Sequence, residues 1–182
     1  TEQGTLAMLF AMIMITAYIM LRFQWKFALG AILATVHDPI VTLGFFALTG
    51  LTFDLSVLAA MLAIVGYSVN DTIVVFDRIR ENFRKIRRGD AEEIMNISVN
   101  ETLSRTIMTS FLTMLMVLAM LFFGGETLRG FSSALTVGIV VGTYSSIFIA
   151  SALALALKAT AADLMPPKPG KGEGEGEVDS MP

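Results

Sequence analysis

The chain has 182 residues, of which 54% are hydrophobic and 16% charged, and its mean hydropathy is +0.69, whereas a soluble domain carries roughly a quarter of its residues as charges. With its apolar residues gathered in long runs, this composition excludes a soluble enzyme, a disordered protein and a nucleic-acid binder with a basic surface, and the net charge of −3 points to no partner. No cysteine and a single histidine leave no disulfide framework, thiolate site or His-built metal site, and no cofactor is predicted.

A helix needs about 20 mostly apolar residues to cross a hydrocarbon core of about 30 Å. Five segments qualify, each too long for a strand and without the alternation of an outer-membrane barrel. The fold class is therefore all-α integral membrane, with five transmembrane helices. The first span covers residues 4–21, and a connection with Arg22 and Lys26 follows. The second, 27–48, holds His37-Asp38-Pro39 in its middle and a small-residue pair, Gly30 and Ala34. A proline there removes a backbone donor and kinks the helix. His37 and Asp38 could relay a proton or bind a cation, or equally hold the kink by bonding to another helix. Residues 49–54 make a connection without a basic residue.

The third span, 55–76, contains Asp71 in GYSVNDTIVVF, with Ser68 three residues earlier and Asn70 and Thr72 beside it. An aspartate at the centre of a span costs about 3 kcal/mol on insertion scales, so it must face a partner or water. Desolvation and a nearby cation act on its pKa in opposite senses, a combination suited to taking up and releasing protons. The competing reading is a carboxylate that snorkels to the interface or keeps one fixed salt bridge. Residues 77–105 form a charged loop, whose pieces 77–88 and 91–101 read as short interfacial helices broken at Gly89.

Arg105 opens the fourth span, 106–123. Thr102, Thr106, Thr109 and Thr113 share one helix face by their spacing, and Arg105 projects from nearly that face. If the third and fourth spans pack antiparallel, Asp71 and Arg105 come within reach of an ion pair. An arginine that snorkels at its helix end would look the same in sequence. After a short connection with Arg129, the fifth span, 131–157, carries Gly138 and Gly142 as a GxxxG pair for close packing. The 12 methionines read as fillers of irregular helix contacts rather than metal ligands. The tail from residue 162 is Pro/Gly/Glu-rich and predicted to be disordered and cytoplasmic.

Twelve of the 13 basic residues fall on one side of the five spans. The positive-inside rule puts that side, with the C-terminus, in the cytoplasm. The N-terminus is then outside. Residue 1 is Thr and no signal peptide precedes the first span, so a further upstream span with an extracytoplasmic part is expected.

The stretch GYSVNDTIVVFDRIRENFRK, residues 66–85, together with TVHDPIVTLG, 35–44, and ETLSRTIMTS, 101–110, resembles the SecF family, the membrane partners of SecD in bacterial protein export. The resemblance covers most of residues 35–145. It implies one half of a resistance-nodulation-division transporter: a six-helix half bundle of which the five spans are family spans two to six, with the first span and an extracytoplasmic domain outside the chain. It implies a non-enzymatic subunit of the bacterial inner membrane. This subunit would use the proton-motive force to help the SecYEG channel export preproteins, with SecD as partner and the unfolded preprotein held by the extracytoplasmic domain. No nucleic acid enters, and lipid surrounds the spans. The family's essential membrane carboxylate falls on Asp71 and its essential arginine on Arg105, the proposed proton relay. Asp71 would pair with Arg105 when charged, and its protonation would release the pair. His37, Asp38, Ser68, Asn70, Thr106 and Thr109 form a secondary polar set without fixed roles.

The nearest rival is a proton-coupled exporter of small molecules or lipids from the same superfamily. It would share the carboxylate but need a substrate path. A non-conducting structural subunit, whose polar residues only join helices, predicts that Asp71→Asn leaves export intact. An intramembrane aspartyl protease with Asp38 and Asp71 as a dyad needs the two carboxylates at about 3 Å, and its GxGD signature is missing.

Overall fold

Backbone placed in lipid must satisfy its own N–H and C=O groups, and long apolar runs do so as helices. The computed structural model describes residues 2–23, 25–86 and 90–157. Its helices are α1 (Glu2–Arg22), α2 (Trp25–Thr49), α3 (Leu55–Lys85), α4 (Ala91–Phe123), α5 (Gly125–Tyr144), a π-turn (Ser145–Ile149) and α6 (Ala150–Ala156). The last three run on as one apolar rod, so five rods are long and apolar enough to cross a membrane. No strand occurs among the described residues.

Three expected boundaries move. The charged pieces after residue 76 and before residue 106 are not separate interfacial helices: α3 continues to Lys85, and α4 already starts at Ala91. Hydropathy marks where lipid ends, whereas Arg, Glu and Lys are good helix formers that carry the rod onward. The segment 125–130, expected as a loop, is the start of α5. The break at Gly89 and the tail from residue 162 lie outside the described residues.

The turns are chemically specified. Gly50, at φ 67°, closes α2 in a left-handed conformation with its N–H on the Phe46 carbonyl at 3.0 Å. Asp54 then caps α3: its carboxylate accepts from Ser56 Oγ at 2.6 Å and from the Val57 N–H at 2.9 Å. These bonds, Ser56 first, hold the Asp54 carboxyl below its ordinary range. Gly125, at φ 71°, lets α5 turn directly out of α4.

Rod α3 is central, packed on α2, α4 and α5, with α1 at the edge against α2 and α3. Rods α3 and α5 approach closely. A Cβ on Gly138 would stand 2.2 Å from Ile64 Cδ1, so the GxxxG pair meets α3. On α2, Gly30 lies under Ala150, whose carbonyl would be 3.1 Å from an added Cβ. Apolar packing forms two clusters. The larger gathers Phe23, Phe27, Phe76, Ile79 and Phe83 with Ile94 and Met95, and there Phe27 and Phe76 meet edge to face at 5.2 Å. The smaller joins Phe46, Val57, Ala60 and Ala134 near the other end.

Exposed apolar side chains cover the outside. On α1 these include Leu6, Leu9, Phe10 and Ile13, and on α4 Ile107, Met108, Phe111 and Leu115. A surface of this kind suits hydrocarbon rather than water. The chain is a membrane protein.

Candidate functional site

Buried polar residues interrupt the apolar packing, among them Asp38 and Thr42 on α2, Ser68 and Asp71 on α3 and Thr106 on α4. Asp71 is 5% exposed, on the α3 face turned toward α4. Thr106 of α4 donates to its Oδ1 at 3.5 Å, and Oδ2, fully buried, has no hydrogen-bond partner among the described residues. Its neighbour Thr72 is also buried, with an unpartnered hydroxyl. The supporting partner thus comes from α4 and not from Ser68, Asn70 or Thr72 on its own helix. Sequence spacing suggested local partners because residues three apart share a helix face, but Ser68 is engaged elsewhere and Asn70 is exposed.

Arg105 is exposed, and no ion pair joins it to Asp71 among the described residues. The antiparallel packing that would bring the two together is present, since Thr106, the next residue, touches Asp71. Arg105 instead lines a cavity of about 370 Å³ with Val74, Asp77, Arg78, Glu101 and Thr102. That cavity opens at the end of the bundle where α3 and α4 carry their charges.

Around the cavity mouth runs a network that the spacing of the sequence did not single out. Glu101 Oε2 accepts from Arg78 Nε and from Asn82 Nδ2, each at 2.6 Å. Asn82 Nδ2 also donates to Ser98 Oγ at 3.0 Å. At the same end, Arg22 of α1 pairs with Asp77 of α3 at 2.8 Å. Hydropathy alone read these residues as loop, and the only signal for the network was the continuation of helical spacing past Phe76.

The threonine stripe of α4 divides in two. Thr102 and Thr106 are buried, whereas Thr109 is exposed and bonds back to the Arg105 carbonyl at 3.1 Å. Ser110, one residue on, links three rods: Tyr67 Oη lies 2.8 Å and Thr143 Oγ1 2.7 Å from its hydroxyl. The second polar centre is on α2. Asp38 is fully buried, Ser68 Oγ donates to its Oδ2, and His37 Nδ1 is 3.1 Å from its Oδ1. Asp38 and Asp71 therefore have separate partners, and α2 continues through Pro39 as one helix.

Five long apolar rods closed around buried carboxylates and hydroxyls define a polytopic membrane protein with ionisable groups inside its bundle. Over residues 1–160 the chain matches the family of protein export membrane proteins SecD/SecF, C-terminal region, and it belongs to that family. Among its relatives is the protein translocase subunit SecF of Pseudomonas aeruginosa, 57% identical over 167 residues, covering 92% of this chain and 55% of that protein. The SecF subunit of Vibrio alginolyticus is 53% identical over all of this chain and 57% of its own length. The chain thus spans a little over half the length of these curated relatives. Among solved structures, the crystal structure of SecDF, a translocon-associated membrane protein from Thermus thermophilus, is 52% identical with a TM-score of 0.76, over 79% of this chain and 20% of that one. SecDF in a super-membrane-facing form gives a TM-score of 0.77 at 51% identity, over 81% of this chain and 20% of that one.

Proposed function

We propose that this chain is the helix-bundle part of a SecF-type subunit that uses the proton-motive force to assist Sec-dependent export of preproteins. In this reading it works in the bacterial cytoplasmic membrane with SecD and the SecYEG channel. The charged end of the bundle, with Arg22, Arg78, Glu101 and Arg105, faces the cytoplasm, as does the C-terminus. The carrying observation is Asp71, a carboxyl group buried at the α3–α4 contact with one oxygen held by Thr106 and the other unpartnered.

A buried carboxylate without a full set of donors is stable in lipid only as the neutral acid or beside a cation. The cation within reach is Arg105. With a proton on Asp71 the carboxyl is neutral, Thr106 still donates to Oδ1, and Arg105 remains turned to the cavity. Without the proton, the charge on Asp71 draws Arg105 from the cavity, and α3 and α4 shift against each other. Asp71 and Arg105 are thus the relay, Thr106 the support for one state, and the cavity at Glu101 the route by which protons reach the cytoplasm. One proton crossing a potential of 100 mV supplies about 2.3 kcal/mol, enough to bias two helix packings about fiftyfold.

The test is export driven by the proton-motive force in vesicles holding full-length protein, SecD and the Sec channel. Asp71→Asn is expected to abolish the force-dependent component while the protein level holds. Undiminished force-dependent export would make Asp71 structural and the chain a scaffold for its partner.

A further inference from the structure

The carboxyl group of Asp38 has no part in the relay above, yet three rods converge on it. Ser68 of α3 donates to Oδ2, and His37 Nδ1 stands 3.1 Å from Oδ1. From the third side comes α5: a Cβ on Gly142 would lie 3.6 Å from Asp38 Oδ2 and 3.4 Å from Ser68 Cβ, in ordinary contact. One turn later the π-turn delivers Ser146, whose hydroxyl donates to the Ser68 carbonyl at 3.2 Å and to the Gly142 carbonyl at 2.7 Å. Single π-turns within α-helices recur at functional sites.

The charges around this group are few. On α2 the one ionisable neighbour is His37. On α3, Tyr67 beside Ser68 is bonded to Ser110 and Asp71 follows one turn beyond Ser68 toward α4, while on α1 the ionisable groups are Glu2, Tyr18 and Arg22, the last paired with Asp77. From residue 131 to 157 the fifth rod has no charged residue, and its one tyrosine, Tyr144, is exposed and stacked on Phe148. No Lys or Arg is paired with Asp38 among the described residues. A carboxylate sealed from water with no fixed cation needs a proton, its own or that of its imidazole neighbour.

We propose that Asp38 is a second proton-binding site of the bundle, separate from Asp71, in which the proton is held at the contact of Asp38 Oδ1 with His37 Nδ1 while Ser68 fixes the other oxygen. Proton uptake puts the hydrogen on the carboxyl oxygen, which then donates to the imidazole nitrogen. Release leaves the carboxylate with Ser68 as its donor. No bond other than that to the proton forms or breaks. Ser68 precedes Asp71 by one turn of α3, so the site stands one turn before the relay on the side of the far end of the bundle. That ordering rests on the proton-motive reading given above, whereas the binding of a proton at Asp38 does not.

The test is infrared difference spectroscopy of the full-length protein with its SecD partner in lipid nanodiscs, titrated with acid and base. The wild type is expected to show a pH-dependent carboxylic-acid band that vanishes in Asp38→Asn and survives in Asp71→Asn. Ser68→Ala, which keeps the carboxyl, is expected to raise the frequency of that band by removing a hydrogen bond, and His37→Gln to displace its pH midpoint. If Asp38→Asn fails to fold, Ser68→Ala and His37→Gln decide alone, and a band unmoved by both overturns the proposal. A wild-type spectrum whose every carboxylic-acid band survives in Asp38→Asn overturns it too. Export by the Asp71→Asn variant is scored separately, so the relay can fail while this site stands, and the reverse.

Discussion

Gly138 shows how residue size decides the position of a whole rod. Its α-carbon faces Ile64, which is 1% exposed and β-branched, and three of that side chain's carbons would lie within 2.9 Å of an added Cβ. Gly138→Ala is therefore expected to destabilise the bundle by about 1–3 kcal/mol, the usual range for overpacking. Thermal unfolding in detergent would measure it, and Ile64→Ala in the same chain should recover part of the loss. If Gly138→Ala is neutral alone, α3 and α5 are not in contact at this level. Single residues also mark what sequence can and cannot disclose. Asp71 was legible because a carboxylate in an apolar span is costly wherever the helix points. The engagement of Ser68 with Asp38 was not, because it depends on the packing of α2 on α3, which spacing within one helix does not contain. Spacing puts Arg105 nearly on the threonine face, but its exposed side chain turns to a cavity that only the fold creates.

At the scale of elements, α3 and α4 are longer than their apolar segments, and their extensions are tied together by side chains rather than by lipid. Asn82 is the centre of that tie: it is 4% exposed and donates both to Glu101 and to Ser98. Removing it leaves the buried Ser98 hydroxyl without this donor, and a lost buried hydrogen bond costs about 1–3 kcal/mol. Asn82→Ala should accordingly lower the thermal midpoint and speed amide exchange at the start of α4, while leaving the Asp71–Thr106 contact in place. An unchanged exchange pattern would mean that the extensions hold themselves up as single helices. Helix number and order could be read from hydropathy, since five apolar runs must be satisfied as helices in lipid. The lengths could not, because a helix leaving the membrane changes its composition without changing its backbone.

For the molecule as a whole, the distribution of charge is the main organising fact. Arg22, Asp77, Arg78, Glu81, Lys85 and Glu101 are joined by ion pairs at one end, and the Glu126–Arg129 pair lies at the other. Since the chain has no cysteine, single thiols can be introduced against a silent background. A thiol reagent that cannot cross membranes should label Glu126→Cys on intact spheroplasts, and Arg84→Cys only after the membrane is opened. The opposite pattern would invert the topology and with it the direction of the proposed proton path. The π-turn has a consequence of another kind, for the phase of the fifth rod. Ala150 reaches back five residues to the Ser145 carbonyl, so the rod contains one residue more than a plain α-helix of the same shape, and each residue advances a helix by about 100°. Were one residue of 145–149 deleted, the rod would close as that plain α-helix, and Ala150 and Ala154 would stay seated against Gly30. Were one residue deleted between Ala150 and Ala154 instead, Ala154 would rotate by that angle away from α2 and Leu155 would take its place. Losing one residue at the π-turn should therefore harm the bundle less than losing one between Ala150 and Ala154, although the two chains would have the same length and nearly the same hydropathy.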